Sequence, residues 1–202
     1  MIADKEHYWT ARVAGTDPAN PIGDNNTAWT LAGSSSDGEV QGNAWRISGS
    51  GQTWSQTVAN DDNDLTIICG IKYHSVPADD TVLMTLDNGT HRVQVKSNGS
   101  ATKVKLVGAT TATSPELDLD VSEDDSVPVL LRLTLANNGS AKLYMQEIID
   151  DDNANQHYIQ VTGSSSSAQT ASFGNTAGSV DWYVSYYTPH GSYSPDEMDM
   201  SD

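Results

Sequence analysis

The chain has 202 residues and a formal charge of −17, from 27 acidic residues against 10 basic ones. That balance repels phosphate backbones and anionic lipid surfaces, which argues against nucleic-acid and membrane partners. Aspartate supplies 21 of the acids and glutamate only 6, a skew that suits turns and caps rather than helices, although a saline habitat that screens excess charge would also favour an acidic chain.

In chain order, the segment Met1-Ile2-Ala3-Asp4-Lys5-Glu6-His7 has neither a basic start nor an apolar run, so no cleavable signal is expected. Trp9, Trp29, Trp45 and Trp54 then lie among Gly, Ser, Asn and Asp. Short strands are predicted near residues 27–31, 43–48 and 53–58. Residues 64–76 are β-branched and aromatic, as a buried strand should be. The lone cysteine, Cys69, falls in this run and is expected to be buried and inert. Thr81 to Leu86, His91 to Lys96 and Lys103 to Val107 read as three antiparallel strands. Asn88-Gly89 and Asn98-Gly99 join them, and Asn-Gly accommodates the positive φ of tight turns. These two asparagines, with Asn25 and Asn138, also match the Asn-x-Ser/Thr pattern. Turn formation is the better account of the three that precede glycine.

Leu117, Leu119 and Val121 alternate with acids in a further predicted strand. Val127 to Leu135 turns at Asn138-Gly139 into Ala141 to Ile148, and His157 to Thr162 follows. The serine run Ser164 to Ser167 reads as a flexible loop. Val180 to Tyr187 is the last predicted strand. About ten short strands at this spacing call for a sandwich or barrel. Residues 1–190 are read as one β-sandwich domain and 191–202 as an acidic tail, disordered on composition.

Three groups of residues invite chemistry. Glu116-Leu117-Asp118-Leu119-Asp120 puts its acids at period two, on one face of a strand. Paired carboxylates of that kind can hydrolyse glycosidic bonds; the preferred reading is a solvated face opposite buried leucines. Asp61-Asp62-Asn63-Asp64 and Asp150-Asp151-Asp152-Asn153 offer oxygens to calcium but lack EF-hand spacing. Solvated turns are preferred, and no cofactor is expected. His7, His74, His91, His157 and His190 have no short ligand spacing, so no zinc site is expected. Exposed Trp and Tyr could stack on sugars, but Trp45, Trp54 and Trp182 are preferred as core or interface anchors.

The order of three pieces resembles the concanavalin A-like jelly roll of laminin-G and pentraxin type. They are Gly42-Asn43-Ala44-Trp45-Arg46-Ile47-Ser48-Gly49, Asp64 to Tyr73, and the hairpin from Val129 to Met145 through Asn138-Gly139. The resemblance implies an all-β, two-sheet antiparallel jelly-roll sandwich. The closing Trp182-Tyr183-Val184-Ser185-Tyr186-Tyr187 and the tail Gly191-Ser192-Tyr193-Ser194-Pro195-Asp196 are similar to accessory virion proteins of tailed bacteriophages. That resemblance implies a non-enzymatic virion structural protein on the particle surface, a capsid decoration (cement) protein first. It would contact the major capsid protein and copies of itself, a trimer being one such form. A carbohydrate- or receptor-binding module of a tail fibre is the alternative, and a glycan-degrading enzyme the third. The expected contact residues are Tyr183, Tyr186, Tyr187, Tyr193 and Pro195, because tyrosine is enriched at interfaces and proline lowers the entropy lost on docking.

Overall fold

Valine and leucine at alternate positions leave each strand with one apolar and one polar face, and two such sheets bury their apolar faces against each other. The computed structural model describes residues 30–32, 40–41, 44–50, 53–57, 65–117, 119, 129–150, 153–174 and 179–185. The first nine strands are β1 Thr30–Ala32, β2 Val40–Gln41, β3 Ala44–Ser50, β4 Thr53–Thr57, β5 Leu65–Ser75, β6 Val82–Asn88, β7 His91–Ser97, β8 Val104–Val107 and β9 Thr111–Thr113. They are followed by β10 Val129–Leu135, β11 Ser140–Asp150, β12 Asn153–Thr162, β13 Ser164–Ser165, β14 Gln169–Gly174 and β15 Ser179–Ser185. One sheet runs β1-β4-β14-β6-β7-β8-β9, with β13 added on β7. The other runs β12-β11-β10-β5-β15-β3-β2. The described residues form an all-β sandwich of two antiparallel sheets with no helix, as expected.

The core lies between the sheets. Leu83, Leu86, Val93, Val95, Leu106 and Phe173 face inward from one sheet. Cys69, Ile71, Leu131, Leu133, Leu143 and Met145 face them from the other. Phe173, the one phenylalanine of the chain, is fully buried. Each aliphatic side chain of this set contributes about 1.5–3 kcal/mol relative to exposure. Trp45, Trp54 and Trp182 are placed on β3, β4 and β15, but their side chains lie outside the described residues.

All three Asn-Gly turns form, and only the glycine takes the left-handed conformation: φ is 84° at Gly89, 68° at Gly99 and 83° at Gly139. Asn88 turns the chain with its side chain instead. Its Oδ1 accepts from the backbone N–H of Thr90 at 3.1 Å and of His91 at 2.8 Å. Its amide Nδ2 donates to Ala136 O at 3.3 Å, tying the β6–β7 hairpin to the β10–β11 hairpin.

Two expectations need correction. The serine run is not a free loop. Ser164 and Ser165 pair with Arg92 and His91 of β7, Ser166 N donates to Thr90 O at 2.9 Å, and Ser166 Oγ donates to the Asp87 carboxylate. Small side chains let this segment lie flat on the sheet. Nor do Leu117 and Leu119 form a regular strand. Their N–H groups donate to Thr102 O at 2.7 Å and Ala101 O at 3.1 Å, while Leu119 O accepts from Tyr73 N at 2.7 Å. The segment bridges the two sheets at their margin, and both leucines are buried there.

Candidate functional site

The outward face of the seven-stranded sheet carries the most distinctive surface among the described residues. Odd-numbered residues of β10, β11 and β12 turn toward the core, so even-numbered ones turn outward. The register aligns them in rows across four strands: Ile68, Arg132, Tyr144 and Tyr158 in one, Thr66, Thr134, Lys142 and Gln160 in the next. A third row, Gly70, Leu130, Gln146 and Gln156, is buried over its first three members. Of these three rows the first two are the more open.

Tyr158 is 62% exposed, one of two large apolar side chains so placed among the described residues. Its ring centroid is 5.8 Å from that of Tyr144, at 35° between planes. The Arg132 guanidinium carbon lies 4.1 Å from the Tyr144 centroid, a cation–π contact. Lys142 Nζ stands 5.9 Å from the Tyr144 centroid and 6.0 Å from that of Tyr158. Two neighbouring rings, with Arg132 on one and Lys142 within about 6 Å of both, make a platform held by paired strands. An aromatic face carries partial negative charge. It attracts the C–H groups on the flat side of a pyranose, while the phenol hydroxyls and the cations can hydrogen-bond to sugar oxygens.

Charge is arranged differently on the eight-stranded sheet. Lys105 bonds Asp79 at 2.6 Å and Asp80 at 2.7 Å, and Lys103 bonds Glu116 at 2.8 Å. The Lys105 hydrogen bond holds the Asp79 carboxyl below its usual range, and the Lys103 hydrogen bond does the same for Glu116. Glu116 is thus an exposed ion-pair partner. Asp118 and Asp120, the other acids of the row considered from sequence, lie outside the described residues. Burial pushes the Cys69 thiol up, well out of the range in which a thiolate forms.

Of the contact residues expected from sequence, Tyr183 lies on β15 with Lys72 and Arg46 as its neighbours in register. Tyr186, Tyr187, Tyr193 and Pro195 lie outside the described residues, as do the calcium candidate Asp61-Asp62-Asn63-Asp64 and the Asp151-Asp152 part of the other. Among the described residues no group of three or more His, Cys, Asp or Glu side chains could hold a metal ion. No helix among them is long and apolar enough to cross a membrane. Sequence reasoning passed over Arg132, Lys142, Tyr144 and Tyr158. The signal was present in outward parity around the Asn138-Gly139 turn, which sets Arg132 opposite Tyr144.

No family model and no curated protein matches the chain. Among solved structures it is similar to that of a conserved carbohydrate esterase from the Shiga toxin-encoding bacteriophage phi24B, with a TM-score of 0.44 and 12% identity over 78% of this chain and 84% of that one. The expectation that the chain is not an enzyme is corrected at this point. A structure similar to it belongs to an esterase, and a sandwich scaffold does not separate binding proteins from catalysts.

Proposed function

We propose that the chain is a carbohydrate-binding module of a tailed-phage particle and that it holds glycan on the outward strip of its seven-stranded sheet. The observation that carries this reading is the exposed Tyr158 ring beside Tyr144, with Lys142 near both rings and Arg132 on Tyr144. Single exposed aromatics are ordinary on a protein surface; this one has a second ring and two cations beside it. The phage setting rests on the closing aromatic strand and the Gly191 to Asp196 tail, similar to accessory virion proteins. The jelly-roll, concanavalin A-like reading draws support from connectivity. The last two long strands, β14 and β15, insert between early ones, β14 between β4 and β6 and β15 between β3 and β5. Such interleaving is what wrapping the chain around two sheets produces.

Capsid decoration is the second reading, and the same residues favour it. Exposed tyrosine beside arginine is also the composition of protein–protein contacts. In that case the partner is a shell protein or a second copy. The test is an array of bacterial surface polysaccharides probed with the parent chain and with Tyr158→Ala. Sugar binding predicts retention on a subset of the array and a loss of about tenfold or more in affinity for the variant. Decoration predicts an empty array and co-sedimentation with undecorated shells that Tyr158→Ala weakens. Array binding that the variant retains in full contradicts the assignment of the site.

A further inference from the structure

Among the described strands β12 is a sheet edge of 10 residues, whereas the other edges, β1, β9 and β2, have 3, 3 and 2. Its backbone groups divide by parity, as in any antiparallel pair. Gly163 N donates to Gly139 O at 2.7 Å, toward β11. Thr162 turns the other way: its O accepts from Ala109 N at 2.7 Å and its N donates to Thr110 Oγ1 at 3.1 Å. The β11–β12 register is unbroken from Thr162 back to Ala154. The N–H and C=O groups of Gln160, Tyr158 and Gln156 therefore also point away from β11. No described strand pairs with them there, and all three residues are exposed. Sheet edges are commonly blunted by charge, proline or a bulge. The strand Asn153-Ala154-Asn155-Gln156-His157-Tyr158-Ile159-Gln160-Val161-Thr162 holds no Asp, Glu, Lys, Arg or Pro, and its one register shift lies before it, between Ile148 and Asp150.

From this we infer that β12 pairs with β12 of a second copy of the chain, antiparallel, about a two-fold axis at Tyr158. The inference stands whether or not the outward strip binds sugar. Three observations select a second copy as the occupant. Of the registers that parity allows, the one centred on Tyr158 sets ring against ring and amide against amide, with Gln156 of each copy opposite Gln160 of the other. The aromatic row continues across that seam. Tyr144 and Tyr158 are neighbours in register with centroids 5.8 Å apart, and the second copy adds Tyr158 and then Tyr144 on the open side of the first Tyr158 ring. Charge is the third. Two bodies of −17 each approach at least cost along an uncharged strand, and the two-fold sends Asp150, opposite Asn153 in register, to the two far ends of the seam. A charged strand of another protein would find no counter-charge on β12. An edge seam is small, so the affinity should be on the order of micromolar.

The test is sedimentation of the full chain from about 1 to about 200 μM. The parent should show a reversible monomer–dimer equilibrium that stops at the dimer, because a two-fold contact closes on itself. Gln156→Pro removes an outward N–H and no bond to β11, and Tyr158→Lys sets like charges opposite each other across the axis. Each should raise the dissociation constant about tenfold or more, with the circular dichroism of the folded parent retained. Tyr158→Cys should form a disulfide-linked dimer in oxidised glutathione, because residues paired in this way stand about 5.5 Å apart at Cα, within the span of a disulfide. Cys69 is buried and does not compete. Gln160→Cys should link far more slowly, its two copies lying well apart along the seam. If Gln156→Pro fails to fold, Tyr158→Lys and the cross-link carry the comparison. A parent that stays monomeric throughout overturns the proposal and leaves the edge to a strand of another protein. Dimers that neither variant weakens place the contact elsewhere and overturn it. Equal cross-linking through Gln160→Cys overturns the two-fold at Tyr158. Growth past the dimer with rising concentration means that the seam does not close, and overturns it as well.

Discussion

Cys69 has no exposure, and its thiol approaches the Met84 thioether at 3.3 Å in the middle of the core. With its thiolate disfavoured by burial, it should react with an aromatic disulfide reagent only when the sandwich opens. Labelling should therefore run at the unfolding rate and accelerate with denaturant. Labelling of the native protein within seconds, at a rate independent of denaturant, would contradict the placement. Gly139 offers a second residue-scale test. Its φ is 83°, and a Cβ there would sit 2.7 Å from the His91 ring. Gly139→Ala should cost about 1–2 kcal/mol from the backbone alone, with a further penalty for moving His91. An unchanged denaturation midpoint would mean that the turn differs from the one described. Sequence had marked both residues, because a thiol inside an apolar run and a glycine after asparagine each carry their physical reason locally.

At the scale of strands, what was legible depended on how far the cause lay along the chain. The β6–β7–β8 meander and the β10–β11 hairpin were readable from alternation and from Asn-Gly. β14 was not. Gln169-Thr-Ala-Ser-Phe-Gly174 has little apolar pattern, yet it pairs with β4 and β6 in the middle of its sheet. Its order comes from neighbours far away in sequence. The Leu117–Leu119 segment fails in the opposite sense, having the alternation of a strand but partners in a turn and in β5. The candidate site divides the same way. Arg132 and Tyr144 are brought together by a turn visible in the sequence, whereas Tyr158 joins them through the β11–β12 register, which no Asn-Gly marks. The exposed ion pairs belong to this scale too. The Asp79 carboxyl is held low by Lys105, so the stability it lends is present above the ordinary carboxylate range. It is lost as pH falls through the lowered value. Asp79→Asn should therefore lower the melting temperature at neutral pH, and its effect should vanish only well below the ordinary carboxylate range, near about pH 1.5. An equal loss at both pH values would assign the effect to loop geometry instead of charge.

The whole molecule carries its −17 charge at every scale of contact. Like charges on a compact body repel, and salt screens them. At pH 7 added sodium chloride should raise the melting temperature, because weakened exposed pairs such as Lys105 with Asp79 matter less than the relieved repulsion. A melting temperature that falls with salt would show that pairing outweighs repulsion. Fold class was legible at this scale because short alternating strands admit few architectures. Function was not, because a sandwich hosts many activities and the aromatic strip exists only once distant strands are in register. The most direct test of that strip is a backbone amide shift map, recorded with the saccharide that the array retains most strongly. The account predicts that perturbed amides cluster at Arg132, Lys142, Tyr144, Tyr158 and Gln160. Perturbations confined to β6, β7 and β8 of the other sheet, or none at saturating sugar, would contradict it.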